Sequence, residues 1–223
     1  MNKYTDEIKE FVRSEMQCSA HSLDHVMRVY SLCLNLVEGE VDLEVLEASA
    51  LLHDIASDRE QCDKTGKTDH AIEGAKIAET FLRSIDFPKE KINHVKNCIT
   101  SHRYKTNNEP KTIEAKILFD ADKLEAIGAI GIARSYAWIG SNDACIYKEV
   151  DDIGEYAREN LSGRIGGRIQ DKSKHSVQIE HEVKTKFLLK KLYTKKAKEI
   201  GEERMIFFEN FLKRLEKEVC GEV

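Results

Sequence analysis

The sequence predicts an all-α fold. Only two prolines and twelve glycines interrupt 223 residues. Glu, Lys, Leu, Ile and Ala dominate, and few segments read as strands. Apolar residues recur at helical spacing along most of the chain. With 34% charged and 41% hydrophobic residues, the composition suits one soluble domain over 1–223 with a substantial core.

The elements follow in order. Residues 3–16 read as a short amphipathic opener. Residues 22–38 place Val26, Val29, Leu32, Cys33 and Leu36 at helical spacing, and Gly39 stops that helix. Residues 42–56 form the next helix, with His53-Asp54 at its C-terminal end. A polar loop from Asp58 to Thr68 leads to a helix at 69–86. Pro88 suits the first turn of a helix at 88–102. After a loop at 103–111, one long helix is expected from 112 to 138. Residues 140–175 break the pattern with Gly140-Ser141-Asn142, Asp151-Asp152 and Gly163-Arg164-Ile165-Gly166-Gly167-Arg168. Loops and one short helix near 152–161 are expected there, as a mobile lid or a surface insertion. No strand precedes the glycines, so they are not a dinucleotide fingerprint. Helices at 176–193 and 195–218 close the chain.

Charge and cysteines exclude several classes. A net charge of −5 gives no basis for non-specific binding to a nucleic-acid duplex. No run approaches a membrane span. Six cysteines form no CxxC pair. The chain shows no apolar leader, so reduced thiols in a cytoplasm are expected. An apolar stripe on the last helix would allow a homodimer.

The chemistry concentrates in a few polar residues set in apolar surroundings. His53-Asp54 follows Ala48-Ser49-Ala50-Leu51-Leu52 and precedes Ile55-Ala56. Buried charge is tolerated when it is paired or coordinates a metal. The two side chains diverge on an ideal helix but can converge at a helix end. His21 and His25 share a helical face, with Arg28 beyond them. His25 reads as a ligand, and His21 as a ligand or the hydrogen-bond partner of one. Asp122 falls on the helical face of Leu118, Phe119 and Ala126, where a carboxylate needs a cation or a hydrogen-bond network. Lys123 beside it could meet a phosphate as a point charge. Asp58 is free to act as acid or base. His94 reads as a helix-surface residue. Arg134 reads as an ion-pair partner in preference to a phosphate contact. Imidazole with carboxylate suits Mn, Fe, Co, Ni or Zn.

His25 in His-x-x-Arg-Val, the doublet His53-Asp54 and Asp122 in Asp-x-Asp-Lys-Leu, in that order, resemble the signature of the HD-domain superfamily of metal-dependent phosphohydrolases. The segments LFDADKLEAIGAIGIAR and SVQIEHEVKTKFLLKKL extend the resemblance to a bacterial subgroup of predicted hydrolases over nearly the whole chain. It implies a single helical bundle with His25, His53, Asp54 and Asp122 around one divalent ion. It also implies that Lys123 approaches substrate phosphate and that Asp58 orients the attacking water. His70 and His102 sit where two-metal members place further ligands, so a second ion sharing Asp54 is open. The expected activity is hydrolysis of a nucleotide or similar small phosphate ester, with Arg28 and Arg59 balancing phosphoryl charge. Two alternatives stand beside it: a diiron oxygenase on the same scaffold, and a non-catalytic nucleotide-binding helical module.

Overall fold

A computed structural model describes residues 3–16, 20–63, 65–103 and 108–223; the side chains of residues 20–22 and of Gln61 are outside that description. Among the described residues the secondary structure is helical, without strands. The chain divides into two compact units, Met1–Asp122 and Lys123–Val223.

The first unit contains α1 (Thr5–Glu15), α2 (Ala20–Leu36), α3 (Leu43–Leu52), α4 (Ser57–Cys62), α5 (His70–Ser84), α6 (Lys89–Ser101) and α7 (Ile113–Leu124) up to Asp122. Its centre is α3. Val45, Leu46, Ala48, Ala50, Leu51 and Leu52 have no exposed surface, as expected of a helix that is apolar all round. It packs against α1, α2, α5 and α6. Its start is fixed by Asp42, whose carboxylate accepts from the Val45 amide at 3.2 Å. Helices α5 and α6 form a close pair. The link between them is a Schellman turn, with the Phe87 amide donating to Leu82 at 3.0 Å and Asp86 at φ 53°. Phe87 is buried there against the ring of Tyr4, edge to face at 5.0 Å. The loop expected from Asp58 contains α4 instead. Asp58 and Glu60 in its first turn complement the helix N-terminus.

The second unit contains α8 (Gly128–Ser141), α9 (Ile153–Asn160), α10 (Val177–Val183) and α11 (Lys195–Val219). The long helix expected from 112 to 138 is broken at Glu125–Ile127. Gly128 adopts φ +73°, and a Cβ on Gly131 would lie 2.5 Å from the Ala126 carbonyl oxygen. Glycine permits this corner although the apolar periodicity runs through it. Arg134 donates to the Glu125 carbonyl at 3.3 Å and lies 3.9 Å from its carboxylate, the expected ion pair. Helices α8 and α11 pack together, with Ile132, Ile139, Val177 and Phe208 in one core cluster. The helix expected at 176–193 ends at Val183 and continues as two 3₁₀ turns. Val183, Leu188 and Leu192 are buried. Their spacings of five and four residues do not stay on one face of a continuous helix.

The short helix expected near 152–161 is α9, begun by Asp152, which accepts from the Gly154 and Glu155 amides. The following turn depends on Gly167, where a Cβ would lie 1.8 Å from the Leu161 carbonyl oxygen. A buried polar chain ties this region together. Asn160 donates to the Tyr156 hydroxyl at 2.7 Å, which donates to His175 Nδ1 at 2.8 Å. His175 Nε2 donates onward to Glu180 at 3.2 Å. Each polar group in it has a partner, as burial demands.

The described cysteines are free; Cys33 and Cys98 are buried, and Cys62 and Cys220 are exposed. Cys18 lies outside the described residues. No helix among the described residues is long and apolar enough to cross a membrane.

Candidate metal centre

The ends of three helices in the first unit build one cluster. His53 caps the C-terminus of α3, and Asp54 begins the turn after it. His70 is the first residue of α5, after its N-cap Asp69. His102 caps the C-terminus of α6. His25 enters from α2 and Asp122 from α7. The turn after α3 is what lets His53 and Asp54 converge, since a continued helix would separate them by about 100°.

The ligand atoms form two triads that share Asp54: His25, His53 and Asp54, and Asp54, His70 and His102. Within each, the atoms lie within 4.8 Å of one another. The two oxygens of Asp54 divide between them. Oδ2 lies 3.7 Å from His25 Nε2 and 3.8 Å from His53 Nε2. Oδ1 lies 3.3 Å from His70 Nε2 and 3.6 Å from His102 Nε2. Asp122 stands beside the first triad, 3.3 Å from His25 Nε2.

The imidazoles are oriented by what their other nitrogens do. His53 Nδ1 donates to the Ala50 carbonyl at 2.8 Å, and His102 Nδ1 to the Ile99 carbonyl at 2.6 Å. Their Nε2 atoms therefore carry the lone pairs. His53 is fully buried, and its Nε2 has no hydrogen-bond partner among the described residues. A buried imidazole nitrogen left without one is costly. A cation removes that cost, and a set of imidazoles and carboxylates suits a divalent transition metal. The residues present thus fit a metal ion.

Electrostatics agree with this donor set. Burial outweighs the pull of Asp54 and pushes His53 from 6.5 down to about 4, so the ring is neutral at pH 7. Burial opposes the charge on Asp54, yet His53, His102 and His70 hold its carboxyl well below the usual range. A pH dependence follows for metal-free protein. Unfolding lets His53 bind a proton between pH 6.5 and about 4 that the folded state refuses. Stability is therefore full above that window and falls by about 3 kcal/mol through it as pH drops. Thermal melts of chelator-treated protein from pH 7.5 to 4 check this; a flat midpoint would contradict it.

The other expected site residues are not members of either triad. Asp58 and Arg59 are in the first turn of α4, and Arg59 pairs with Glu73 at 3.4 Å. Arg28 pairs with Asp24 one turn back. Lys123 follows Asp122 in α7 as the first residue of the second unit. His21 lies outside the residues whose side chains are described. His94 is not the plain surface residue expected: it lies 3.2 Å from the carboxylate of buried Glu114 and 2.9 Å from Thr112 Oγ1. Sequence reasoning missed Glu60, Asp69 and Arg103, which brace the second triad. Their only signal is Asp69 before an apolar-periodic helix, a common N-cap pattern.

Residues 22–127 match the HD domain family model. The uncharacterized protein YpgQ of Bacillus subtilis (strain 168) is 28% identical over 228 residues, covering 98% of this chain and 95% of that one. The crystal structure of YpgQ in complex with ADP is 27% identical, covering 97% and 95% of the two chains with a TM-score of 0.69. An HD-superfamily hydrolase from Bacillus thuringiensis is 25% identical, covering 98% and 97% with a TM-score of 0.69. The matched span holds every residue of both triads, and this part of the chain belongs to the HD-domain superfamily.

Proposed function

We propose that this protein is a metal-dependent phosphohydrolase that acts on a nucleotide or similar small phosphate ester. The observation that carries the reading is the pair of triads sharing Asp54, with the bare Nε2 of buried His53 turned inward. In this reading His25, His53, Asp54 and Asp122 would hold one divalent ion, and Asp54, His70 and His102 a second. A divalent cation supplies an acidified water and withdraws charge from phosphoryl oxygen. In this reading Asp58 would orient the attacking water and accept its proton. Lys123, with Arg28 and Arg59, balances charge that grows on the phosphoryl oxygens. The nucleotide preference is supported by the ADP bound to YpgQ, a relative over nearly the whole chain.

Elemental analysis of protein purified without added metal tests the site. About two divalent ions per chain, falling to one in His70→Ala or His102→Ala, is the expected result. Release of phosphate or pyrophosphate from a nucleotide panel with manganese then tests the reaction. Wild-type turnover after complete removal of metal by chelation would overturn it. The second triad also favours one other reading, a diiron oxygenase using the same six residues. Iron as the retained metal, with oxygen consumption and no phosphate release, would establish that reading instead.

A further inference from the structure

His70 of the second triad is held differently from His53 and His102. His53 and His102 end helices, so a carbonyl three residues back, Ala50 or Ile99, takes each Nδ1 proton. His70 begins a helix and has no preceding turn to supply such a carbonyl. Glu60 takes that place from α4. Its Oε2 accepts from both His70 Nδ1 and the His70 backbone amide, the latter at 3.1 Å. Its Oε1 accepts from Arg103 Nη2 at 3.0 Å. Arg103 Nη1 also meets Asp69, the N-cap of α5, at 2.9 Å. Arg103 directly follows His102, and Asp69 directly precedes His70. The clamp therefore spans both histidines of one triad, while the ring of His53 in the other is held by the Ala50 carbonyl.

We infer that Glu60, clamped by Arg103, is the positioning residue of the second half-site: it aims the Nε2 of His70 at Asp54 and so governs binding of the second ion but not the first. This rests on the two-ion reading above. The two bonds to Glu60 fix both the rotamer of His70 and its tautomer, with the proton on Nδ1 and the lone pair on Nε2. A carboxylate acceptor also makes the imidazole a stronger donor to metal than a backbone carbonyl does. Neither Glu60 nor Arg103 is itself assigned as a ligand.

Manganese titration by calorimetry, with elemental analysis, on wild type, Glu60→Ala and Glu60→Gln tests the inference. Wild type is expected to bind two ions. Glu60→Ala should weaken the second by about 10–100-fold and leave the first within about twofold. Glu60→Gln should lie between them, because its amide oxygen still accepts the Nδ1 proton but carries no charge. Nitrogen-15 and proton spectra of metal-free protein give a readout independent of any ion: the Nδ1–H of His70 should show hydrogen bonding to a carboxylate in wild type and lose it in Glu60→Ala. Two ions bound as in wild type by Glu60→Ala would overturn the inference alone. A single ion in wild type would overturn the two-ion reading and the inference with it. Should Glu60→Ala unfold, Glu60→Gln decides: equal loss of both ions from a folded variant would overturn the selectivity.

Discussion

Asp54→Asn should release both metal ions and stop hydrolysis while the helices stay folded. The reason is the division of its oxygens. Oδ2 serves the pair His25 and His53 at 3.7 and 3.8 Å, and Oδ1 serves His70 and His102 at 3.3 and 3.6 Å. An amide removes the negative charge from both half-sites at once and turns a donor group towards one of them. Residues that merely orient a ligand typically account for 10–100-fold in affinity. Loss of a shared ligand is therefore expected to exceed about 100-fold for each ion. Single changes at His53 or His102 should each affect one ion more than the other. Elemental analysis, circular dichroism and a nucleotide assay on the same preparation check the expectation. Retention of both ions by folded Asp54→Asn would remove the basis of the proposed mechanism.

Phe87→Ala is expected to have the largest effect on stability, a loss of about 3–5 kcal/mol. The ring is 2% exposed and lies in the link between α5 and α6. It holds the turn that pairs those helices, which carry His70 at the start of one and His102 at the end of the other. Truncation leaves a cavity beside Tyr4 and a Schellman turn without its apolar seal. Urea unfolding should show a lower midpoint with an unchanged slope. A loss below about 1 kcal/mol would mean that Tyr4 and its neighbours close the gap.

Much of the cluster was legible because ligands stand out where a chain is otherwise apolar. His53-Asp54 after a run of buried residues is such a place, and so is Asp122 within α7. Their convergence was less legible, since it depends on α3 ending at Leu52 and the doublet entering a turn. Glu60 and Arg103 were invisible for the opposite reason. They sit in polar stretches where a charge looks like ordinary solvated surface, and only the fold brings them together over 43 positions. The helices themselves were readable from periodicity. The corner at Glu125–Ile127 was not, because apolar spacing continues through it and only the backbone freedom of Gly128 and Gly131 marks it. The early end of α10 was less legible: the segment stays rich in apolar residues past Val183, and only the five-residue step to Leu188 departs from helical spacing.

The two buried thiols give the first unit a built-in gauge. Burial pushes Cys98 up to about 12 and Cys33 well above its ordinary value. Neither is then a nucleophile at neutral pH. They sit in α6 and α2, the helices that bring His102 and His25 to the cluster. Alkylation of these two sulfurs should proceed only through opening of that part of the molecule, while exposed Cys62 and Cys220 react at once. The slow phase of thiol labelling thus clocks local opening without any added probe. Comparing that phase with and without manganese would report how much metal steadies its own scaffold, in a protein carrying no engineered label.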